Sequence, residues 1–182
     1  MMSLDVISTA RLQLRVLMPE HAAMVQQYLL INREHLAPWE PARDGDFFSL
    51  EKCEERLLAN ARLMEAGLAV HLAVCKEEEM IGICNFSNIV RGVFHACHLG
   101  YAIAARQQGQ GYMFEAVQAG IRHMFQDCGL HRVMANYMPE NQRSGALLAR
   151  LGFEKEGYAK SYLKINGVWR DHILTALVNP AE

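Results

Sequence analysis

The fold of this chain is decided by the stretch Leu99-Gly100-Tyr101-Ala102-Ile103-Ala104-Ala105-Arg106-Gln107-Gln108-Gly109-Gln110-Gly111-Tyr112. Its first half predicts a strand, and the helical spacing of apolar residues after the turn predicts a helix. Unpaired N–H groups at a helix N-terminus, together with the helix dipole, favour anions. Gly109 and Gly111 can adopt positive φ and let phosphate oxygens approach the backbone, and Arg106 can add a cation. The stretch predicts an anion site, although a plain tight turn has the same Gly-x-Gly pattern.

This turn differs from the two best-known phosphate loops. It lacks the Gly-Lys-Ser/Thr ending of a Walker loop, and Phe114 occupies the third glycine position of a Gly-x-Gly-x-x-Gly fingerprint. A second motif follows about one strand later, with Asn141 and Ser144 on a predicted helix that ends at Gly152-Phe153. Asn141 alone could be an ordinary helix N-cap. Two adjacent crossover helices would nevertheless leave a slot between strands, where an extended ligand could lie.

The hydrophobic pattern predicts a mixed α/β (α+β) chain in the order β-α-α-β-β-β-α-β-α-β-β. Strands are predicted at 12–16, 69–75, 80–89, 94–103, 132–138, 153–165 and 169–178. Helices are predicted to begin at 19, 50, 111 and 141, and a Pro-containing loop is predicted over 32–48. No repeat or Gly/Ser linker interrupts the sequence, so we expect a single domain over residues 1–182.

Composition narrows the classes of function. Of the 182 residues, 51% are hydrophobic and 21% charged, and the formal net charge of -2 argues against binding through whole-surface attraction to nucleic acid. No apolar run approaches the roughly 20 residues of a membrane helix, so we expect no membrane association. The five cysteines include no Cys-x-x-Cys pair, which favours a reducing cytoplasm and argues against a metal site.

At the two motifs the sequence resembles a known family. Arg106-x-x-Gly109-x-Gly111 is similar to the Arg/Gln-x-x-Gly-x-Gly/Ala acetyl-CoA signature of the GNAT N-acetyltransferase superfamily, and Asn141 with Gly152-Phe153 is similar to its next motif. Further segments resemble the RimJ branch of the RimJ/RimL-type ribosomal-protein alanine N-acetyltransferases. They are 35–41 (HLAPWEP), 85–88 (NFSN), 134–139 (MANYMP), 150–158 (RLGFEKEGY) and 169–172 (WRDH).

The resemblance implies a fold and an activity. The fold is a mixed, mostly antiparallel seven-stranded sheet, splayed between strands 4 and 5 and flanked by about four helices. The activity is direct transfer of acetyl from acetyl-CoA to the N-terminal alanine amine of a ribosomal protein, without an acyl-enzyme. Three alternatives stay open: a GNAT enzyme for a free small amine (an amino acid, polyamine or antibiotic), a non-catalytic acetyl-CoA-binding or ribosome-assembly factor, and an acyl-enzyme through Cys97. The oligomeric state is left open.

The resemblance also implies the coenzyme site. The strand Tyr101-Ala102-Ile103 would pair with pantetheine, and a backbone N–H near Tyr101 or Ala102 would stabilise the oxyanion. Asn141 would hydrogen-bond the pantetheine arm, and Arg143 could reach a phosphate. The pyrophosphate would be held by the backbone N–H groups of Gln108, Gly109, Gln110, Gly111, Tyr112 and Met113.

The resemblance also implies candidates for the catalytic groups. Many GNAT enzymes carry an acid tyrosine seven residues after the motif asparagine, and this position is Leu148 here. The RimL/RimJ-type branches place a serine three residues after the asparagine, so Ser144 is the candidate donor to the coenzyme A sulfur. Candidates for the general base are Asn85, His98, Tyr137 and Glu40. The loop around Trp39 and Glu40 is the expected lid over the peptide.

Overall fold

The computed structural model describes residues 6–181, within the predicted domain of 1–182, and contains eight strands joined in one mixed sheet. The strands are β1 (Val6–Ser8), β2 (Gln13–Arg15), β3 (Val70–Lys76), β4 (Glu79–Val90), β5 (Ala96–Ile103), β6 (Arg132–Tyr137), β7 (Glu154–Ile165) and β8 (Val168–Val178). The helices are α1 (Ala22–Ile31), α2 (Arg33–Leu36), α3 (Leu50–Glu65), α4 (Tyr112–Gln126) and α5 (Gln142–Arg150).

The structure corrects two sequence-based predictions. The sheet has eight strands and not seven, because β1 adds a three-residue strand that is too short to show a hydrophobic period. The described chain has five α-helices where about four were expected, because part of the predicted loop over 32–48 is helical. That segment forms α2 and two 3₁₀ turns, Ala37–Trp39 and Asp46–Phe48. The remaining elements lie where the periodicity predicts them.

The sheet divides between β5 and β6, which are the fourth and fifth strands of the sequence-based prediction. The strand order is β1-β2-β3-β4-β5-β6-β8-β7, and β5/β6 is the parallel pair. The two strands pair over three residues only, from Ala96 with Arg132 to His98 with Met134. Beyond His98 they part, and residues 99–103 of β5 have no partner on β6. The predicted splay is therefore present.

Helices cover both faces of the sheet. Buried residues of α4 and α5, such as Val117 and Leu148, pack against Phe86 and Leu99 to form the larger core. Residues of α1 and α3 form a second core on the opposite face, against Ala73 of β3. Because side chains alternate along a strand, Leu99 and Tyr101 face α4 and α5, whereas His98 and Ala102 face α1 and α3. We call the gap between β5 and β6 beyond His98 the split. A group that lies there can therefore be approached from both faces of the sheet.

Residues 6–181 contain neither a membrane-spanning helix nor a cluster of metal ligands. None of their helices combines the length and the apolar character needed to cross a bilayer. No group of three or more His, Cys, Asp or Glu side chains among them could hold a metal ion.

Candidate active site

The Gly-x-Gly turn connects β5 to α4 and presents backbone N–H groups. A 3₁₀ turn, Ala105–Gln107, follows the strand, and Gly109 and Gly111 then take left-handed φ values of 74° and 79°. A side chain would strain the backbone at both positions. Within the described chain we find no hydrogen-bond acceptor for the N–H groups of residues 109–113. These donors precede or begin the fifteen-residue α4, so the turn has the chemistry of an anion site.

The predicted phosphate cation, Arg106, points elsewhere in this structure. Its guanidinium forms an ion pair with Glu79 at the start of β4. Together with Gln107 and Tyr28, both residues line a cavity of about 470 Å³ between α1 and the β3–β4 hairpin. Arg106 therefore neutralises Glu79 in the structure, and a contact with phosphate would require this ion pair to open.

The N-terminus of α5 lies beside the turn. Asn141 is the N-cap, because its Oδ1 accepts a hydrogen bond from the Ser144 backbone N–H at 3.3 Å. Arg143 Nη1 donates to Gln108 Oε1 at 2.6 Å, which ties α5 to the predicted anion site. Four predicted coenzyme residues thus come together, and the side-chain amide nitrogen of Asn141 has no hydrogen-bond partner among residues 6–181.

Two hydroxyl groups are in contact on the α5 side of the split, and the Tyr137 ring packs against the same helix. Tyr101 Oη lies 2.6 Å from Ser144 Oγ, and either hydroxyl can donate across this distance. Burial raises the pKa of Tyr101 to about 12, so the phenol is protonated at neutral pH. Tyr137 lies against the next residue of α5, where a Cβ on Gly145 would be 2.8 Å from its ring. Leu148, at the position of the acid tyrosine of other GNAT enzymes, is buried in the core.

Residues 99–103 of β5, which pair with β4 but not with β6, offer backbone groups to a ligand. We call them the unpaired part of β5. Ala104 N–H donates to Ile81 O at 2.8 Å, which fixes the hydrogen-bond phase of the antiparallel β4/β5 pair. By the two-residue alternation of such a ladder, Ala102 bonds towards β4, whereas Tyr101 and Ile103 direct N–H and C=O to the split. Of the two oxyanion donors considered, the Tyr101 N–H therefore faces the split and the Ala102 N–H does not. His35 Nε2 contacts Ile103 O at 3.1 Å, which agrees with this direction.

The other base candidates lie on the opposite face. Asn85 of β4 accepts a hydrogen bond from the Leu72 N–H at 3.2 Å. His98 has a buried Nδ1 with no hydrogen-bond partner among residues 6–181, and burial lowers its pKa. Burial also lowers the pKa of His71, although a hydrogen bond with Asn85 opposes this effect. His71 is not among the candidates identified from the sequence. His71 and Asn85 both line a cavity of about 90 Å³ beneath α3.

The predicted lid is a short helical turn. Trp39 ends the 3₁₀ turn Ala37–Trp39 and is 40% exposed. The Glu40 carbonyl accepts a hydrogen bond from Asn166 N–H at 2.8 Å, which joins this segment to the β7–β8 turn. Burial raises the pKa of the half-buried Glu40 carboxyl, although Arg43 opposes this effect. Glu40 also acts on the pKa of Tyr28, a residue of the α1 and α3 core, so it belongs to the same side as His98.

The structure thus separates the predicted residues into two groups. Most of those assigned to the coenzyme, with Ser144, Tyr101 and Tyr137, border the α4 and α5 side. Asn85, His98 and Glu40 border the α1 and α3 side, as do the side chains of Ala102 and Arg106. Sequence reasoning missed Arg11, whose Nη1 donates to Gln110 O at 3.0 Å, and His35. Nothing in the local sequence could have linked Arg11 to a turn 99 residues away. His35 could have been noted, because it begins the HLAPWEP segment.

A comparison with protein families agrees with this arrangement. Residues 11–154 match the model of the acetyltransferase (GNAT) domain, and the matched region includes the turn, Asn141 and the split. The chain belongs to the GNAT acetyltransferase family.

Comparisons with individual proteins place it near one group of that family. The chain is 50% identical to the Escherichia coli [ribosomal protein uS5]-alanine N-acetyltransferase, over 96% of this chain and 91% of that protein. It superposes on the ribosomal-protein-S5-alanine acetyltransferase of Vibrio fischeri with a TM-score of 0.92, 44% identity and coverage of 96% and 97%. It superposes on Mycobacterium smegmatis RimJ, in complex with CoA-disulfide, with a TM-score of 0.89, 29% identity and coverage of 93% and 83%.

Proposed function

We propose that this chain is an acetyl-CoA-dependent Nα-acetyltransferase that transfers acetyl directly to the N-terminal alanine amine of a ribosomal protein. One observation carries the proposal: the turn at 108–113, the unpaired part of β5 and the α5 N-terminus adjoin a single split in the sheet. The relatives that act on ribosomal protein uS5 make uS5 the first acceptor to test. We further propose that the chain acts as one domain in the cytoplasm, without nucleic acid or a membrane.

The residues at the split fit the coenzyme. Backbone N–H groups of 109–113 would hold the pyrophosphate, with Arg143 near them on α5. The Gln108 N–H, also assigned to this role from the sequence, donates instead to Ala105 O at 3.4 Å. Tyr101 and Ile103 would pair with the amides of pantetheine, because their backbone groups face away from β4. The side-chain amide of Asn141 would donate to the same arm. Acetyl-CoA supplies the acetyl group as a thioester, which the amine converts to an amide as the C–S bond breaks.

Two donors on this chain would assist the transfer. The Tyr101 N–H would hydrogen-bond the carbonyl oxygen as negative charge develops on it. The Ser144 hydroxyl would donate to the departing sulfur, and the Tyr101 phenol would donate to Ser144 Oγ from 2.6 Å. This direction leaves the serine proton free for the sulfur. A thiol pKa of about 8.5 means that the thiolate needs only modest help.

The amine would arrive from the α1 and α3 side, where Trp39, Glu40, Asn85 and His98 lie. An α-amino group has a pKa of about 8 and a lysine amine about 10.4, so an N-terminal amine is deprotonated at far lower cost. A weak base is sufficient for such an acceptor. His98 and Glu40 are the titratable candidates on this side, whereas Tyr137 lies on the leaving-group side.

Purified ribosomal protein uS5 with a free N-terminal alanine tests the acceptor. We expect peptide mass spectrometry to find one acetyl group on the N-terminal fragment after incubation with acetyl-CoA. An acceptor with a blocked N-terminus and unmodified lysines is the matched control and should gain none. Acetylation of a polyamine or amino acid, with uS5 unmodified, would replace this proposal by a small-amine enzyme. Coenzyme binding without transfer to any amine would indicate a non-catalytic binding protein.

A substitution at Gly109 tests the coenzyme site independently. Gly109 has φ of 74°, so a valine there must distort the turn that presents the N–H groups. We expect Gly109→Val to weaken coenzyme A binding in calorimetry by at least about tenfold, which corresponds to 1.4 kcal/mol. Gly67→Val is the matched control, because Gly67 has a similar φ of 70° but follows α3. Equal coenzyme affinity in the two variants would contradict the assignment of the turn.

A further inference from the structure

The side chain of Arg11 contacts the predicted anion site. We call Arg11, with Thr9 and Glu115 that hold it, the clamp. Arg11 lies between β1 and β2, and its Nε donates to Glu115 Oε2 at 2.7 Å. Its Nη1 donates to Gln110 O at 3.0 Å, and its guanidinium lies 4.5 Å from the centre of the Tyr112 ring. Thr9 Oγ1 donates to Glu115 Oε1 at 2.6 Å. The guanidinium is therefore held on one side by a carboxylate and on the other by the turn.

The bond to Gln110 O fixes the orientation of one peptide plane. A trans peptide is planar, so the N–H of Gly111 points opposite to the C=O of Gln110. Since Arg11 binds that C=O, the Gly111 N–H must point away from Arg11. This peptide joins Gln110 to Gly111, and because glycine is conformationally permissive the plane could rotate without the bond from Arg11. A Cβ on Gly111 would lie 3.4 Å from Arg11 Nη2, which places the clamp on the Cβ side of the turn.

The charge of Arg11 is already matched. Burial alone would raise the pKa of Glu115, but hydrogen bonds from Thr9 and Arg11 outweigh it and lower that pKa. The carboxylate is therefore ionised at neutral pH and neutralises the guanidinium. Because Glu115 neutralises its charge, Arg11 can contribute to anion binding by orienting the turn.

We propose that Arg11 is a positioning residue for diphosphate binding, which it promotes by holding the Gly111 N–H towards the split. This inference rests on the proposed function, because it takes the diphosphate of coenzyme A as the anion. Thr9 and Glu115 hold Arg11 in place. No contact between Arg11 and the phosphate is required.

The test compares coenzyme A, which carries the diphosphate, with S-acetylpantetheine, an acetyl donor that lacks it. Arg11→Met keeps an apolar stem and removes the donors, and we expect it to weaken coenzyme A binding about tenfold in calorimetry. S-acetylpantetheine lacks the diphosphate, so its kcat/KM should stay within about twofold of the wild-type value. Arg122→Ala removes an exposed arginine that lies two turns after Glu115 on α4. It is the control and should change neither quantity.

A second variant separates orientation from charge. Glu115→Gln frees the charge of Arg11 but loosens the clamp, so we expect weaker coenzyme A binding. Tighter binding would show that Arg11 acts as a cation on the phosphate and would overturn the proposal. Equal losses for coenzyme A and S-acetylpantetheine, or no loss for coenzyme A, would overturn it too. If Arg11→Met does not fold, Arg11→Lys gives the same comparison, because one ammonium cannot replace the fork between Glu115 and Gln110. Failure of the wild-type chain to bind coenzyme A would instead remove the proposed function.

Discussion

Paired substitutions at Tyr101 and Ser144 test the proposed route to the leaving group. Ser144→Ala removes the hydrogen bond to a sulfur that becomes negatively charged. Such bonds contribute about 1.5–3 kcal/mol, so kcat should fall by about 10- to 150-fold. Tyr101→Phe removes only the donor to Ser144 Oγ, which lies 2.6 Å away. A neutral hydrogen bond contributes about 1 kcal/mol, and kcat should fall about fivefold.

The double variant provides the decisive measurement. If Tyr101 acts through Ser144, the second substitution has nothing left to remove, and the double variant should be as slow as Ser144→Ala. Release of free thiol from acetyl-CoA, followed at saturating uS5, gives kcat and KM for each protein. We expect KM for acetyl-CoA to change little, because the phosphates and pantetheine are bound elsewhere. Tyr162→Phe, which removes a phenol hydroxyl from β7, is the control.

Multiplicative effects in the double variant would refute the coupling, since each hydroxyl would then act separately. A normal kcat in Ser144→Ala would remove the serine from the mechanism altogether. Because burial raises the pKa of Tyr101 to about 12, its phenol should remain a donor through alkaline assays. A fall in kcat near pH 10 that disappears in Tyr101→Phe would contradict that protonation state.

Three further substitutions test the packing and the buried polar groups. Tyr28→Phe should stabilise the protein by about 1 kcal/mol in urea unfolding, because its buried hydroxyl has no partner among the described residues; a loss of stability would contradict this. Gly120→Ala should destabilise it by about 1–2 kcal/mol, because the added Cβ would lie 2.8 Å from Phe86 Cε2 in the core; unchanged stability would show that the ring can move. His98→Gln should reduce the loss of stability below pH 6.5. Burial lowers the folded-state pKa of His98, so only the unfolded chain gains a proton there as the pH falls. Unfolding midpoints at pH 7 and pH 5 give the comparison, and equal pH slopes in the two proteins would refute it.

Local patterns predicted most of the fold. Alternation in β3, β4 and β5 and the apolar spacing of α4 were enough, because these elements are long and one side of each is buried. The prediction missed the short elements, because three residues of β1 and four of α2 are too few to show a hydrophobic period. Their structure depends on pairing with β2 and on packing against distant parts of the chain.

The candidate site was predicted in part, and for a physical reason. The Gly-x-Gly turn and Asn141 carry local backbone signals, a positive φ and an N-cap, that a sequence can show. The contact between Tyr101 and Ser144 joins residues 43 apart, and the contact between Arg11 and Gln110 joins residues 99 apart. No local pattern encodes such contacts. The division of the base candidates between two faces also required the register of β4 and β5.

The brief junction of β5 with β6 has a mechanical consequence. Among the described residues, the strand pairing that joins the five-stranded panel β1–β5 to the three-stranded panel β6–β8 spans three residue pairs. A cosubstrate that bonds to β5 while contacting α5 would act as a brace across this seam. Amide hydrogens of Tyr101 and Ile103 should then exchange with solvent more slowly when coenzyme A is bound, so the molecule would be most rigid in the state that holds the acetyl donor.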